Sequence, residues 1–133
     1  MKNTFLSLMM VVGLFTTSCT TTVVDVDLSG NYSGQLSTTF SNCDPSINDT
    51  SNIQVTFEIW ENPEMGYNID GAIFKCDGIR LFIPSSGILN YDKNCNGESY
   101  QVEIRITNGG ELNFTETWTL NGCRGEQRGT LYK

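Results

Sequence analysis

The sequence predicts an all-β fold: an eight-stranded antiparallel meander, closed into a barrel or folded into a sandwich. Three observations predict it. Apolar and polar residues alternate with period two along most of the chain after residue 28, the pattern of strands with one buried face. Turn signals separate these runs at short spacing: Asn62-Pro63, Asp77-Gly78, Pro84-Ser85-Ser86-Gly87, Asn96-Gly97, Asn108-Gly109-Gly110 and Asn121-Gly122. Finally, Cys43, Cys76, Cys95 and Cys123 fall at every second link, so an up-and-down meander gathers all four at one end of the sheet.

The strands are expected in this order. The first covers 30–40, with Tyr32 and Leu36 on one face. The second, 52–60, sets Ile53, Val55, Phe57 and Ile59 against Asn52, Gln54, Thr56 and Glu58. The third and fourth, 67–76 and 79–83, meet at Asp77-Gly78, a pair suited to a two-residue type I′ hairpin; that turn would oppose Cys76 to Ile79 and Phe74 to Leu81. The fifth covers 88–91. The sixth, 99–107, sets Tyr100, Val102, Ile104 and Ile106 opposite Gln101, Glu103 and Arg105. The seventh, 111–120, carries Leu112, Phe114, Trp118 and Leu120 on one face, and the eighth covers 127–133.

The amino terminus gives an address. Lys2 precedes an apolar run over 5–15, well short of the roughly twenty residues that span a bilayer, and Thr16, Thr17, Ser18 and Cys19 follow. That is the form of a secretory signal peptide over 1–18. A cysteine directly after small residues resembles the lipobox of bacterial lipoproteins, in the looser form of Bacteroidota, with Thr16 where Leu is usual. The resemblance implies diacylglycerol on the sulfur of Cys19, acylation of the new amino terminus, and a lipid-anchored cell-envelope protein of the outer membrane. Residues 19–27 would be the lipidated cysteine and a short tether, and 28–133 one domain.

Cysteine arithmetic agrees. Five cysteines leave one unpaired in an exported chain; with Cys19 given to lipid, the other four make two disulfides. The pairing is either 43–76 with 95–123 or 43–123 with 76–95, and the second would staple the seam where a barrel closes. No two of these cysteines have C-x2-C spacing, so a zinc site is not expected. The chain has no histidine, which excludes a Ser-His-Asp triad, a Cys-His dyad and any histidine-ligated metal. Fifteen acidic residues against eight basic give a net charge of −7, which argues against nucleic acid and against electrostatic docking on anionic lipid. No cofactor is expected.

The stretch LSGNYSG over 28–34 resembles the opening strand of lipocalin-like barrels, a Gly-x-aromatic motif that Gly30 and Tyr32 would fill, with Tyr for the usual Trp. The resemblance implies an Arg from the last strand stacked over that aromatic, a part Arg128 would take. An avidin-like small barrel fits the strand count equally well. Either barrel implies a binding module, an analogy of architecture rather than of function.

Three features bear on chemistry. Glu116 shares the apolar face of the seventh strand, and a lone inward carboxylate is costly unless paired or neutral. It is either the polar anchor of a ligand in a pocket lined by Phe57, Phe114 and Trp118, or a buried ion pair with Arg128 the candidate base, or a carboxylate that reaches solvent at the rim. The 67–83 region has two apolar faces: either Ile69, Ile73 and Phe82 form an exposed patch for a protein partner, or Gly71 breaks the phase. DKNCNGESYQVE, residues 92–103, matches a twelve-residue calcium loop, but strand patterns replace the flanking helices and Glu103 lies up the sixth strand, so a plain turn is expected. The function expected is non-catalytic binding of a small, partly apolar ligand inside the barrel, with presentation to a protein partner as the alternative.

Overall fold

In a computed structural model that describes residues 26–47, 50–72 and 74–133, the chain forms one eight-stranded antiparallel sheet. The strands are β1 (Gly30–Ser41), β2 (Ser51–Asn62), β3 (Gly66–Asp70), β4 (Phe82–Ile83), β5 (Ile88–Cys95), β6 (Glu98–Ile106), β7 (Glu111–Leu120) and β8 (Cys123–Tyr132). The expected signal segment 1–18, Cys19 and the expected tether as far as 25 lie outside the described residues, as does Ile73.

The order β4-β3-β2-β1-β8-β7-β6-β5 closes the first strand on the last. β1 pairs with β8 from Ser33↔Tyr132 to Ser41↔Arg124. One seam, between β4 and β5, carries no ladder. The molecule is therefore a nearly closed barrel with lipocalin- or avidin-like topology, not a sandwich. Alternation does what the sequence requires: Tyr32, Leu36, Phe57, Ile59, Tyr100, Val102, Ile104, Leu112, Phe114 and Leu131 are all buried in the interior. Each such side chain contributes roughly 1.5–3 kcal/mol relative to exposure.

The two ends differ. At the end that bears both described termini, Leu28 is buried beneath the barrel. The Tyr32 hydroxyl donates to Leu28 O at 2.8 Å, and the Tyr67 hydroxyl donates to Val26 O at 3.3 Å. The opposite end carries the links that hold the cysteines. Two disulfides form there, Cys43–Cys123 and Cys76–Cys95. The first spans the β1–β8 join beyond its last rung, and the second ties the loop after β3 to the end of β5 across the unpaired seam.

Three expectations need correction. β3 ends at Asp70 rather than 76, and β4 keeps only Phe82 and Ile83, so the Asp77-Gly78 hairpin does not form; the rungs are Tyr67↔Ile83 and Asn68↔Phe82. Gly71 is the cause. Its φ is +78°, and a Cβ there would strike Thr56 O at 2.4 Å, so the chain leaves β2 in a conformation that favours glycine. Residues 71–81 become a loop at the disulfide end. Second, Ile69 and Phe82 do not share a face: Ile69 packs on the core and faces Ile59, while Phe82 faces outward beside Asn68.

Third, β5 runs four residues past its expected end and β8 begins four residues early. Both are extended by Asn-Gly turns with positive φ at both positions: Asn96 +54° and Gly97 +86°, and Asn121 +51° and Gly122 +78°. The calcium-like stretch is thus the β5–β6 hairpin. Asp92 accepts from Gln101 Nε2 at 3.0 Å, and Glu103 pairs with Asn90, two rungs away from Asp92. No metal-binding cluster occurs among the described residues.

Candidate functional site

The inward face of β7 reads, from the terminal end upward, Leu112, Phe114, Glu116 and Trp118. Phe114 meets Phe57 of β2 across the interior, their rings 5.3 Å apart and 70° inclined. An edge-to-face pair of this kind adds about 0.5–1.5 kcal/mol beyond burial. Phe74, on the 71–81 loop, reaches down to Phe114 with centroids 6.5 Å apart. Between loop and barrel wall remains a cavity of about 130 Å³, with Leu36, Val55, Phe57 and Phe114 on its apolar side and Lys75 and Gln127 as polar lining. Gln127 is itself buried and donates to Thr38 Oγ1 at 3.2 Å.

Glu116 is fully buried. Its Oε1 accepts two hydrogen bonds, from the Tyr100 hydroxyl at 2.7 Å and from the backbone N–H of Lys75. Its Oε2 is buried and has no hydrogen-bond partner among the described residues. Burial pushes the carboxyl pKa up, against the opposing pull of the Tyr100 and Lys75 hydrogen bonds and the Lys75 charge. Burial first, and Glu116 second, push the Tyr100 hydroxyl up as well, so it stays a donor. Both donors lie on Oε1, so the proton that burial favours on this carboxyl goes to Oε2. The carboxyl thereby holds the 71–81 loop down over the barrel mouth.

Trp118 sits at the rim and does not line the cavity. Its ring lies over Gly125, where a Cβ would come within 2.3 Å of it, and makes an edge contact with Phe40 at 6.2 Å. Lys75 Nζ lies 5.6 Å from the ring centroid, a cation–π contact that is the second tie between loop and barrel. Of the four residues expected to line a ligand pocket, Phe57 and Phe114 meet at the cavity, while Glu116 and Trp118 hold its roof.

Arg128 takes neither part expected of it. It lies on the outer face of β8, its side chain 70% exposed and 3.7 Å from Glu126, since β8 turns Gly125, Gln127, Gly129 and Leu131 inward and Arg128 falls out of phase with them. Glu116 is therefore hydrogen-bonded rather than ion-paired. Catalysis by paired carboxylates needs a second carboxyl about 5–9.5 Å away, on the same inward face among the described residues. The next inward acid, Glu98, lies four residues along β6 from the Val102 that faces Glu116, about 13 Å at strand rise, and it caps the turn by accepting from Asn121 N.

Lys75 and Gln127 were not legible as site residues. The Gly-x-Gln-x-Gly alternation over 125–129 was the available signal for Gln127; nothing local marks Lys75, whose role depends on where the loop folds. No family model matches the chain, and no curated protein or solved structure matches it.

Proposed function

We propose that this chain is a non-catalytic, lipid-anchored protein of the cell envelope whose barrel binds a small, partly apolar ligand at the disulfide end. The observation that carries the binding reading is the roofed cavity: apolar walls, two polar side chains, and a loop held over it by a carboxyl with one oxygen unpartnered. A barrel of this topology is consistent with a small-molecule binding module. Size limits the occupant. At about 130 Å³ the cavity is close to the roughly 150 Å³ that admits benzene and below the 300 Å³ or more of drug-sized sites. The buried part of the ligand is a ring or short branched chain, and anything larger requires the 71–81 loop to lift. The anchor rests on Cys19 after the signal-like segment and on the even cysteine count that its removal leaves.

Native mass spectrometry of protein extracted from its source membrane tests both halves. The expected mass is that of a chain beginning at an acylated Cys19 and carrying one small adduct. Val55→Phe, which fills the cavity, should abolish the adduct and leave the acyl mass. A free Cys19 thiol would overturn the anchor. Absence of any adduct, together with no rise in melting temperature in saturating benzene or indole, would overturn the binding site; a ligand at 100 times its Kd stabilises by about 2.7 kcal/mol.

A further inference from the structure

A second recess lies beside the interior cavity and reaches from the outer face of β2, β3 and β4 to residues of the 71–81 loop that pack on the core. Trp60, Asn68 and Phe82 form one cross-strand row over β2, β3 and β4, all three facing outward. Trp60 is 50% exposed, though it lies mid-ladder on a strand whose inward side chains are buried. Neighbouring strands are about 4.8 Å apart, so the two aromatic residues stand roughly 10 Å apart at the backbone with the amide of Asn68 between them. A groove of about 360 Å³ runs from this row to the base of the 71–81 loop, lined by Trp60, Asn68, Phe82, Asp70, Arg80 and Phe74 among others. That volume is within the range of small-molecule sites, which the interior cavity is not.

The groove also holds an unmet polar demand. Asn68 Nδ2 is buried without a hydrogen-bond partner among the described residues. Leaving such a donor unpaired costs about 1–3 kcal/mol, a cost a ligand acceptor would remove. Asp70 uses Oδ1 to accept from Gly71 N and keeps Oδ2. Arg80 is exposed and has no carboxylate partner among the described residues.

We propose that this groove is a carbohydrate-binding site that takes a neutral pyranose unit. A sugar ring has an apolar C–H face and an equatorial rim of hydroxyls, which demands a flat aromatic surface beside planar amide, carboxylate and guanidinium groups. Trp60 and Phe82 supply the surface, and Asn68, Asp70 and Arg80 supply the rim contacts. One carboxylate and one guanidinium cancel at the groove. An anionic ligand would meet the net charge of −7 of the whole chain, and a cationic one would meet Arg80. A sugar seated on Trp60 places hydroxyl oxygens beside Asn68, the acceptor that its Nδ2 lacks.

The test is calorimetric titration of the full chain with cellohexaose, maltohexaose and chitotetraose. It is joined to NMR of the two indole N–H resonances, the Trp60 signal being the one that vanishes in Trp60→Phe. At least one sugar should bind saturably and shift the Trp60 resonance. Trp60→Ala should weaken that sugar by about thirtyfold and Asn68→Ala by about tenfold, while Trp60→Phe, which keeps a stacking ring, stays within about threefold. Circular dichroism of each variant controls for folding. The proposal is overturned if none of the three sugars binds, if binding leaves the Trp60 resonance unmoved, if Trp60→Ala binds as well as wild type, or if choline binds in preference to every sugar.

Discussion

Glu116 carries the sharpest residue-scale consequence. Its carboxyl pKa is raised in the folded chain above the ordinary value of 4.5. Below that value the folded and unfolded forms are both protonated, and the stability linked to this group is fully present. As pH rises past 4.5 the unfolded chain releases its proton first, so stability falls until pH passes the folded pKa. Glu116→Gln imitates the neutral form and keeps an oxygen for the Tyr100 and Lys75 donors. Urea unfolding at pH 5 and pH 8 should show the variant gaining on wild type as pH rises; a difference that stays flat between the two would mean that Glu116 is ionised in the native barrel. Glu116 was legible as an anomaly because it broke the apolar alternation of its strand. Its partners were not, because Tyr100 read as one more core aromatic and Lys75 arrives from a loop whose path no local pattern encodes.

At the scale of elements, what was legible was what is set by alternation. β1, β2, β6 and β7 lie within one or two residues of their expected ends, and each buries the middle of its predicted face, while Ile53 of β2 and Leu120 of β7, expected inward, are exposed. The failures share a cause. Asp77-Gly78 marks a real turn, with Gly78 at φ +72°, but a turn signal fixes two residues and not the pairing of the chain on either side. Phe74 found Phe114 and Lys75 N found Glu116, and those tertiary contacts replaced the ladder of a hairpin. β5 went unrecognised over Asp92, Lys93 and Asn94 because these side chains are exposed and carry no apolar alternation. The disulfides are also elements, and their loop lengths rank them. On a chain-entropy basis, Cys43–Cys123 with a sequence separation of 80 is worth about 4.5 kcal/mol, and Cys76–Cys95 with one of 19 about 3.2 kcal/mol. Denaturant titration of the two paired Cys→Ser variants should therefore find C43S/C123S the less stable. The reverse order would show that fixing the 71–81 loop matters more than joining the ends of the barrel.

For the whole molecule, the gathering of the four cysteines at one end followed from strand count and parity alone, and the pairing that forms, 43–123 with 76–95, is the one expected to staple the seam where first and last strands close the barrel. The location of the unpaired seam was not legible: it depends on β3 and β4 being too short to reach β5, which Gly71 decides. The sealing of the terminal end by Tyr32, Tyr67 and Leu28 was also hidden, since two tyrosines in apolar runs do not announce that their hydroxyls reach back to the chain before β1.

The closure of β1 on β8 also decides how the molecule responds to force. The two strands are antiparallel neighbours, and their free ends leave from the same end of the barrel. Tension applied between the two termini peels them apart one rung at a time, the weak direction of any sheet, starting near Ser33 and Tyr132. The Cys43–Cys123 bond lies at the far end of that zipper and stops it. Under optical-tweezer load the oxidised protein should yield at low force, lengthen by little more than the two end strands, and then hold. A reduced protein should run out to its full contour. An oxidised chain that extends fully would show that the bond is not where the load arrives.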